Sequence, residues 1–128
     1  MNKVLLITVF LLSPTIFLYA QTTVTFNVNL RTMLKDSTFI PGQDVIQITG
    51  NVYPLDKRRG IELSDGTPAD SVYSVEIDFP RRRNSQNLLY SFEVKKPYDS
   101  ITENAPRSLN LVGEDQVLPP MIFNSFVQ

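Results

Sequence analysis

The sequence predicts an all-β chain, an immunoglobulin-like antiparallel β-sandwich of about seven strands. Three observations carry that expectation. Apolar residues alternate with polar ones at period 2 in several runs. The runs recur at a spacing of roughly 8 to 12 residues, with Gly, Pro, Asn and Asp clustered between them. No stretch after residue 20 carries a convincing helical period.

Residues 1–20 read as a secretory signal and residues 21–128 as the domain. Met-Asn-Lys gives a positive start, Val4 to Leu12 is almost wholly apolar, Pro14 interrupts the run, and Ala20 is a small residue before Gln21. Leu18 departs from the small-x-small pattern. An uncleaved anchor is the rival reading, but the run is short for a hydrocarbon core of roughly 30 Å and Pro14 weakens it. Of the 12 basic residues only Lys3 lies in the leader, which leaves 11 against 13 acidic ones. That balance excludes the basic excess a nucleic-acid partner requires. There is no cysteine, so disulfides, thiol chemistry and a lipidated N-terminal cysteine are all excluded. There is no histidine either, which removes the usual nucleophile pairs, the neutral-pH base and an ordinary transition-metal site. The expectation is an exported, secreted or periplasmic chain that is not an enzyme, binds no cofactor or metal, and leaves the membrane once the signal is cut.

The strands follow in order. Thr22 to Leu30 alternates Val24, Phe26, Val28 and Leu30 against Thr and Asn, a strand buried on one side. From Arg31 to Asp44 the alternation is lost; Leu34, Phe39 and Ile40 are expected to cap the core before the Pro41-Gly42 turn. Val45 to Gly50 is the second strand, with Ile46 and Ile48 inward, and Gly50 gives freedom for a bend or a positive φ. A polar loop follows, carrying Tyr53, Pro54 and the solvated run Lys57-Arg58-Arg59. Ile61 and Leu63 mark a short strand before the turn Ser64 to Pro68. Val72 to Phe79 points Tyr73, Val75, Ile77 and Phe79 inward until Pro80 stops the ladder. Leu88, Tyr90, Phe92 and Val94 share one face, Leu109 and Leu111 repeat that phase, and the turn between them predicts antiparallel neighbours. Val117 to Phe123, broken by Pro119-Pro120, reads as an edge strand with a bulge. Aromatics at 26, 73, 79, 90, 92 and 123 are expected to fill the core rather than to form a ligand stripe.

The pieces Val-Thr-Phe-Asn-Val at 24–28, Ile-Gln-Ile-Thr-Gly-Asn at 46–51, Leu-Ser-Asp-Gly at 63–66, Tyr-Ser-Val-Glu-Ile at 73–77, Tyr-Ser-Phe-Glu-Val at 90–94 and Glu-Asn-Ala-Pro-Arg-Ser-Leu at 103–109 occur in one order. In that order and spacing the chain resembles the starch-binding domain of carbohydrate-binding module family 20. The resemblance implies a site in which two tryptophans stack on glucose rings while nearby polar side chains bind hydroxyls. Gly50, Asn51, Tyr90 and Phe92 match its motifs, and Glu103, Asn104, Pro106 and Arg107 match approximately. The tryptophans do not match: this chain has none, and their places fall near Leu55 to Lys57 and at Thr102, while the usual lysine is Ser91. Tyr53 and Tyr98, in the two corresponding loops, are the candidates to replace them; the plainer reading makes each a surface tyrosine packed beside its own proline.

Two functions therefore stand. The first is non-catalytic binding of starch or another α-glucan through Tyr53, Tyr98, Asn51, Glu103, Asn104 and Arg107. The second is a degenerate sandwich that binds no sugar and serves as a structural or protein-interaction module through exposed edge strands. Family members are generally appended to catalytic domains, so a chain ending at Gln128 is expected to be an accessory module or a piece of a longer enzyme. Arg81-Arg82-Arg83 invites an anion-binding reading, but Glu76 and Asp78 lie just upstream and such loops are usually solvated. Asp56, Asp65 and Asp70 lack calcium-loop spacing, and no two carboxylates suggest a hydrolytic pair.

Overall fold

The computed structural model describes residues 21–66, 69–81 and 85–126. The leader at 1–20, Thr67-Pro68 of the predicted turn, and Arg82 and Arg83 of the arginine run lie outside the described residues.

Among the described residues nine strands form: β1 (Gln21–Asn29), β2 (Val45–Gly50), β3 (Ile61–Asp65), β4 (Val72–Pro80), β5 (Asn87–Lys95), β6 (Ser100–Thr102), β7 (Arg107–Asn110), β8 (Gln116–Val117) and β9 (Met121–Ile122). Their hydrogen-bonded order is β6-β5-β2-β3-β4-β1-β8, with β7 also on β5 and β9 also on β1. β3 is the corner of this ribbon. Its Ile61 to Leu63 half pairs with β2, and its Ser64 and Asp65 pair with β4. The ribbon folds back there, because β1 and β5 lie far apart in the order yet the Phe26 and Tyr90 rings meet edge to face at 5.0 Å.

The inward phase read from the sequence holds. Val24, Phe26, Val28 and Leu30, Ile46 and Ile48, Leu63, Ile77 and Phe79, and Leu88, Tyr90, Phe92 and Val94 are all buried. Tyr73, Val75, Ile61 and Leu109 are half-buried against that cluster, and Leu111 and Phe123 are buried. The pairing of Leu88 with Leu109 and of Tyr90 with Arg107 is antiparallel, as expected.

Four details differ from the sequence reading. The segment after β1 holds a short helix, α1 (Arg31–Lys35), too brief to show a period. Phe39 is buried and Leu34 packs on the core, but Ile40 is 41% exposed because its amide serves Asp44 Oδ2 at 2.9 Å in the turn. The return from β5 is split into β6 and β7. The C-terminal edge is two two-residue strands that run parallel to β1, so the sandwich is mixed rather than wholly antiparallel. Leu118, Pro119 and Pro120 separate the two strands, since proline supplies no ladder donor.

Candidate functional site

The β2–β5 end of the sandwich is shaped by one close approach. A Cβ on Gly50 would lie 2.9 Å from the Leu89 carbonyl oxygen, 3.1 Å from Leu88 Cδ1 and 3.2 Å from Leu55 Cβ. The glycine is therefore required for packing, and the positive φ allowed by the sequence is not used. Beyond it Asn51 clamps the loop to β5: its backbone N–H donates to Leu89 O at 3.1 Å, and Leu89 N–H donates to Asn51 Oδ1 at 2.8 Å. Val52 and Leu55 are buried, and Leu55 N–H closes the turn on Val52 O at 2.7 Å. Tyr53, held between these anchors, is turned outward and is 42% exposed.

Its ring borders a depression of about 270 Å³ lined by Asn51, Val52, Tyr53, Asp56, Gln86 and Asn87. Lys57 Nζ lies 5.3 Å from the ring centroid, a cation–π contact. Asn87 Oδ1 accepts from Ser108 Oγ at 2.9 Å, which orients its amide. An aromatic face beside amides and a carboxylate suits a pyranose, which offers apolar C–H faces and a rim of hydroxyls. Asp56, Gln86 and Asn87 were not singled out by the sequence as partners of Tyr53. Asp56 shares the loop with Tyr53, but only β5 beginning where β2 ends brings Gln86 and Asn87 to it, and that register is not a local signal.

Tyr98 lies elsewhere. It is 99% exposed in the β5–β6 turn, which Lys96 N–H closes by donating to Asp99 O at 2.8 Å. Tyr90 pairs with Gly50 at one end of the ladder and Lys95 with Val45 at the other, a run of about 17 Å. Tyr53 and Tyr98 sit beyond opposite ends, so the joint platform expected from the sequence does not form.

Glu103 and Arg107 are brought together, but as a knot. The Glu103 side chain is fully buried; Oε1 accepts from Phe92 N–H at 3.1 Å and from Arg107 Nε at 3.0 Å. Its Oε2 accepts from Arg107 Nη2 at 2.6 Å and from Asn124 N–H at 2.8 Å. The guanidinium also donates to Ile122 O and Ser125 O and packs 4.7 Å from the Phe126 ring. Asn104 joins through its backbone, donating to Asn124 Oδ1 at 2.8 Å. These groups fasten the C-terminal segment across the open side of the sandwich. Of the places where the resemblance would put tryptophans, Leu55 is buried, Asp56 and Lys57 are exposed, and Thr102 Oγ1 donates to Glu93 Oε2 at 3.2 Å.

Asp65 proves to be a turn organiser, accepting from Asp70 N–H and Ser71 N–H at 3.1 Å each. Among the described residues no group of three or more acidic side chains could hold a metal. No helix of the described residues is long and apolar enough to cross a membrane.

The architecture is that of a two-layer mixed β-sandwich with its loops gathered at the strand ends. Among solved structures it is similar to that of the glucoamylase of Hormoconis resinae, with a TM-score of 0.62 and 17% identity over 90% of this chain. The chain spans 19% of that structure's length. No family model and no curated protein matches it.

Proposed function

We propose that residues 21–128 are a non-catalytic carbohydrate-binding module that holds an α-glucan outside the cytoplasm, in secreted or periplasmic space, after export by the leader. The observation that carries this reading is the outward Tyr53 ring beside Asn51, Asp56, Gln86 and Asn87. A stacking face with hydrogen-bonding neighbours is the minimum for gripping a sugar. The fold's likeness to part of a glucoamylase, an enzyme named for its glucan substrate, supports the choice of ligand. The lack of histidine and cysteine supports binding without catalysis.

In a native gel containing soluble starch the mature domain is expected to be retarded. Tyr53→Ala removes the retardation, and Tyr98→Ala leaves it intact. A wild type that migrates identically with and without starch overturns the proposal.

A second reading, a protein-interaction module, is favoured by the exposed apolar side chains of Val112, Val117, Ile122 and Phe126 near the C-terminal edge. A starch-silent chain whose elution volume changes on Val117→Glu with Ile122→Glu would favour it.

A further inference from the structure

The outer face of the β2–β3–β5 layer holds a groove that the starch reading does not use. Strand register lays four polar side chains in one row across four strands. Glu62 stands opposite Gln47, Gln47 opposite Glu93, and Glu93 opposite Thr102. Gln47 Nε2 donates to Glu93 Oε1 at 2.8 Å and Thr102 Oγ1 to Glu93 Oε2 at 3.2 Å, so the floor is fixed before any ligand arrives. The following loop rests directly on it. A Cβ on Gly60 would meet Gln47 Cδ and Ile48 O at 2.9 Å, so only glycine lets the loop lie this close. That contact sets Arg58 and Arg59 beside the row, and with Val45, Gly60, Glu62, Glu93 and Lys95 they enclose about 700 Å³. The volume falls within the roughly 300–1,000 Å³ of ligand sites.

The charges suggest the ligand. Arg58, Arg59 and Lys95 make no ion pair with any described carboxylate. Glu62 and Glu93 bring two negative charges, and both oxygens of Glu93 already accept hydrogen bonds. Arg58, Arg59 and Lys95, two of them with the planar fork that matches a carboxylate, thus set three positive charges against the two negative ones of Glu62 and Glu93, with the Gln47 amide between those two on the floor. The domain as a whole is slightly acidic, so nonspecific attraction of polyanions is not expected. The geometry points to this groove as a binding site for an acidic polysaccharide, a polymer of uronic acid residues whose carboxylates pair with Arg58, Arg59 and Lys95. The inference rests on the carbohydrate-binding reading for the choice of glycan over other polyanions.

The test is affinity electrophoresis of the mature domain in polygalacturonate, soluble starch and poly-L-glutamate. Polygalacturonate is expected to retard the wild type, less so as salt rises. Substituting Arg58→Gln, Arg59→Gln and Lys95→Gln together is expected to weaken binding about tenfold, the sum of three exposed contacts. The triple variant should keep the wild-type circular-dichroism spectrum, and Glu62→Gln should strengthen retardation. Retardation that survives the triple substitution, or is matched by poly-L-glutamate, overturns the inference. Retardation by starch but not polygalacturonate overturns it and leaves the α-glucan reading standing. Retardation by polygalacturonate alone keeps the groove and ends the α-glucan reading.

Discussion

Two polar assemblies, each containing residues that the sequence suggested for a sugar site, have opposite fates in this chain. The Glu103–Arg107 knot is buried, and each carboxylate oxygen has two donors. At the Asn51–Tyr53 depression, Asn51 Oδ1 is occupied, but the Tyr53 ring and the Asp56, Gln86 and Asn87 side chains border open space. Resemblance alone cannot separate them, because both contain residues that suit a sugar. Saturation does: a group with every bond satisfied inside the fold contributes to stability, whereas one with capacity left over can meet a ligand.

The largest expected effect breaks the buried member. Arg107→Ala removes the cation from a buried Glu103 side chain, leaving it only the Phe92 and Asn124 N–H donors, and should cost about 3–5 kcal/mol, read as a lower urea midpoint. A loss below about 1 kcal/mol would mean that the pair behaves as an exposed bridge and that the contrast with Tyr53 is unfounded. Next comes Gly50→Ala at the foot of the depression. Its new Cβ meets a backbone carbonyl, so the loop from Asn51 to Leu55 must shift, at about 1–3 kcal/mol. Starch retardation should weaken with it, since the same loop presents Tyr53.

A third cluster lies between these extremes. Lys96 Nζ donates to Asp44 Oδ2 at 2.6 Å and to Thr38 O at 2.7 Å, tying the α1–β2 connection to the end of β5. The Lys96 hydrogen bond holds the Asp44 carboxyl below its ordinary 3.8; burial opposes it, and the Ile40 N–H adds to it. Because the folded value is the lower one, the stabilisation is complete above the ordinary carboxylate value and is lost as pH falls through the lowered one. As pH falls below the ordinary carboxylate value, the wild-type urea midpoint should therefore drop more steeply than that of Asp44→Asn. Equal slopes would show that the clamp contributes nothing to folding.

Much of the fold was legible because burial on one face writes itself as alternation. Phe26, Ile48, Ile77 and Phe92 could be assigned inward from period 2 alone. What escaped was set by partners distant in sequence. Nothing local in Gln116–Val117 or Met121–Ile122 tells that they run parallel to β1, and five residues are too few for α1 to show a period. The site was half legible for the same reason. Tyr53 and Asn51 are neighbours in sequence and stayed neighbours in space, and Glu103 and Arg107 met as their spacing allowed. Tyr98 was joined to Tyr53 by analogy between loops, and the direction of β5 sends those loops to opposite ends.

The smallest effect on stability sharpens the comparison most. Tyr53 projects from a loop whose anchors are Val52, Leu55 and the Asn51 clamp, none of which involves its ring. Tyr53→Ala should therefore change folding stability by no more than about 0.5 kcal/mol, apart from the contact to Lys57. The same substitution removes the stacking face and should abolish starch retardation, whereas Tyr53→Phe, which keeps the ring, should preserve most of it. If Tyr53→Ala instead unfolded the domain and Tyr53→Phe rescued it, the ring would belong with Arg107 among the groups that hold the fold. The depression would then lose the one feature that sets it apart.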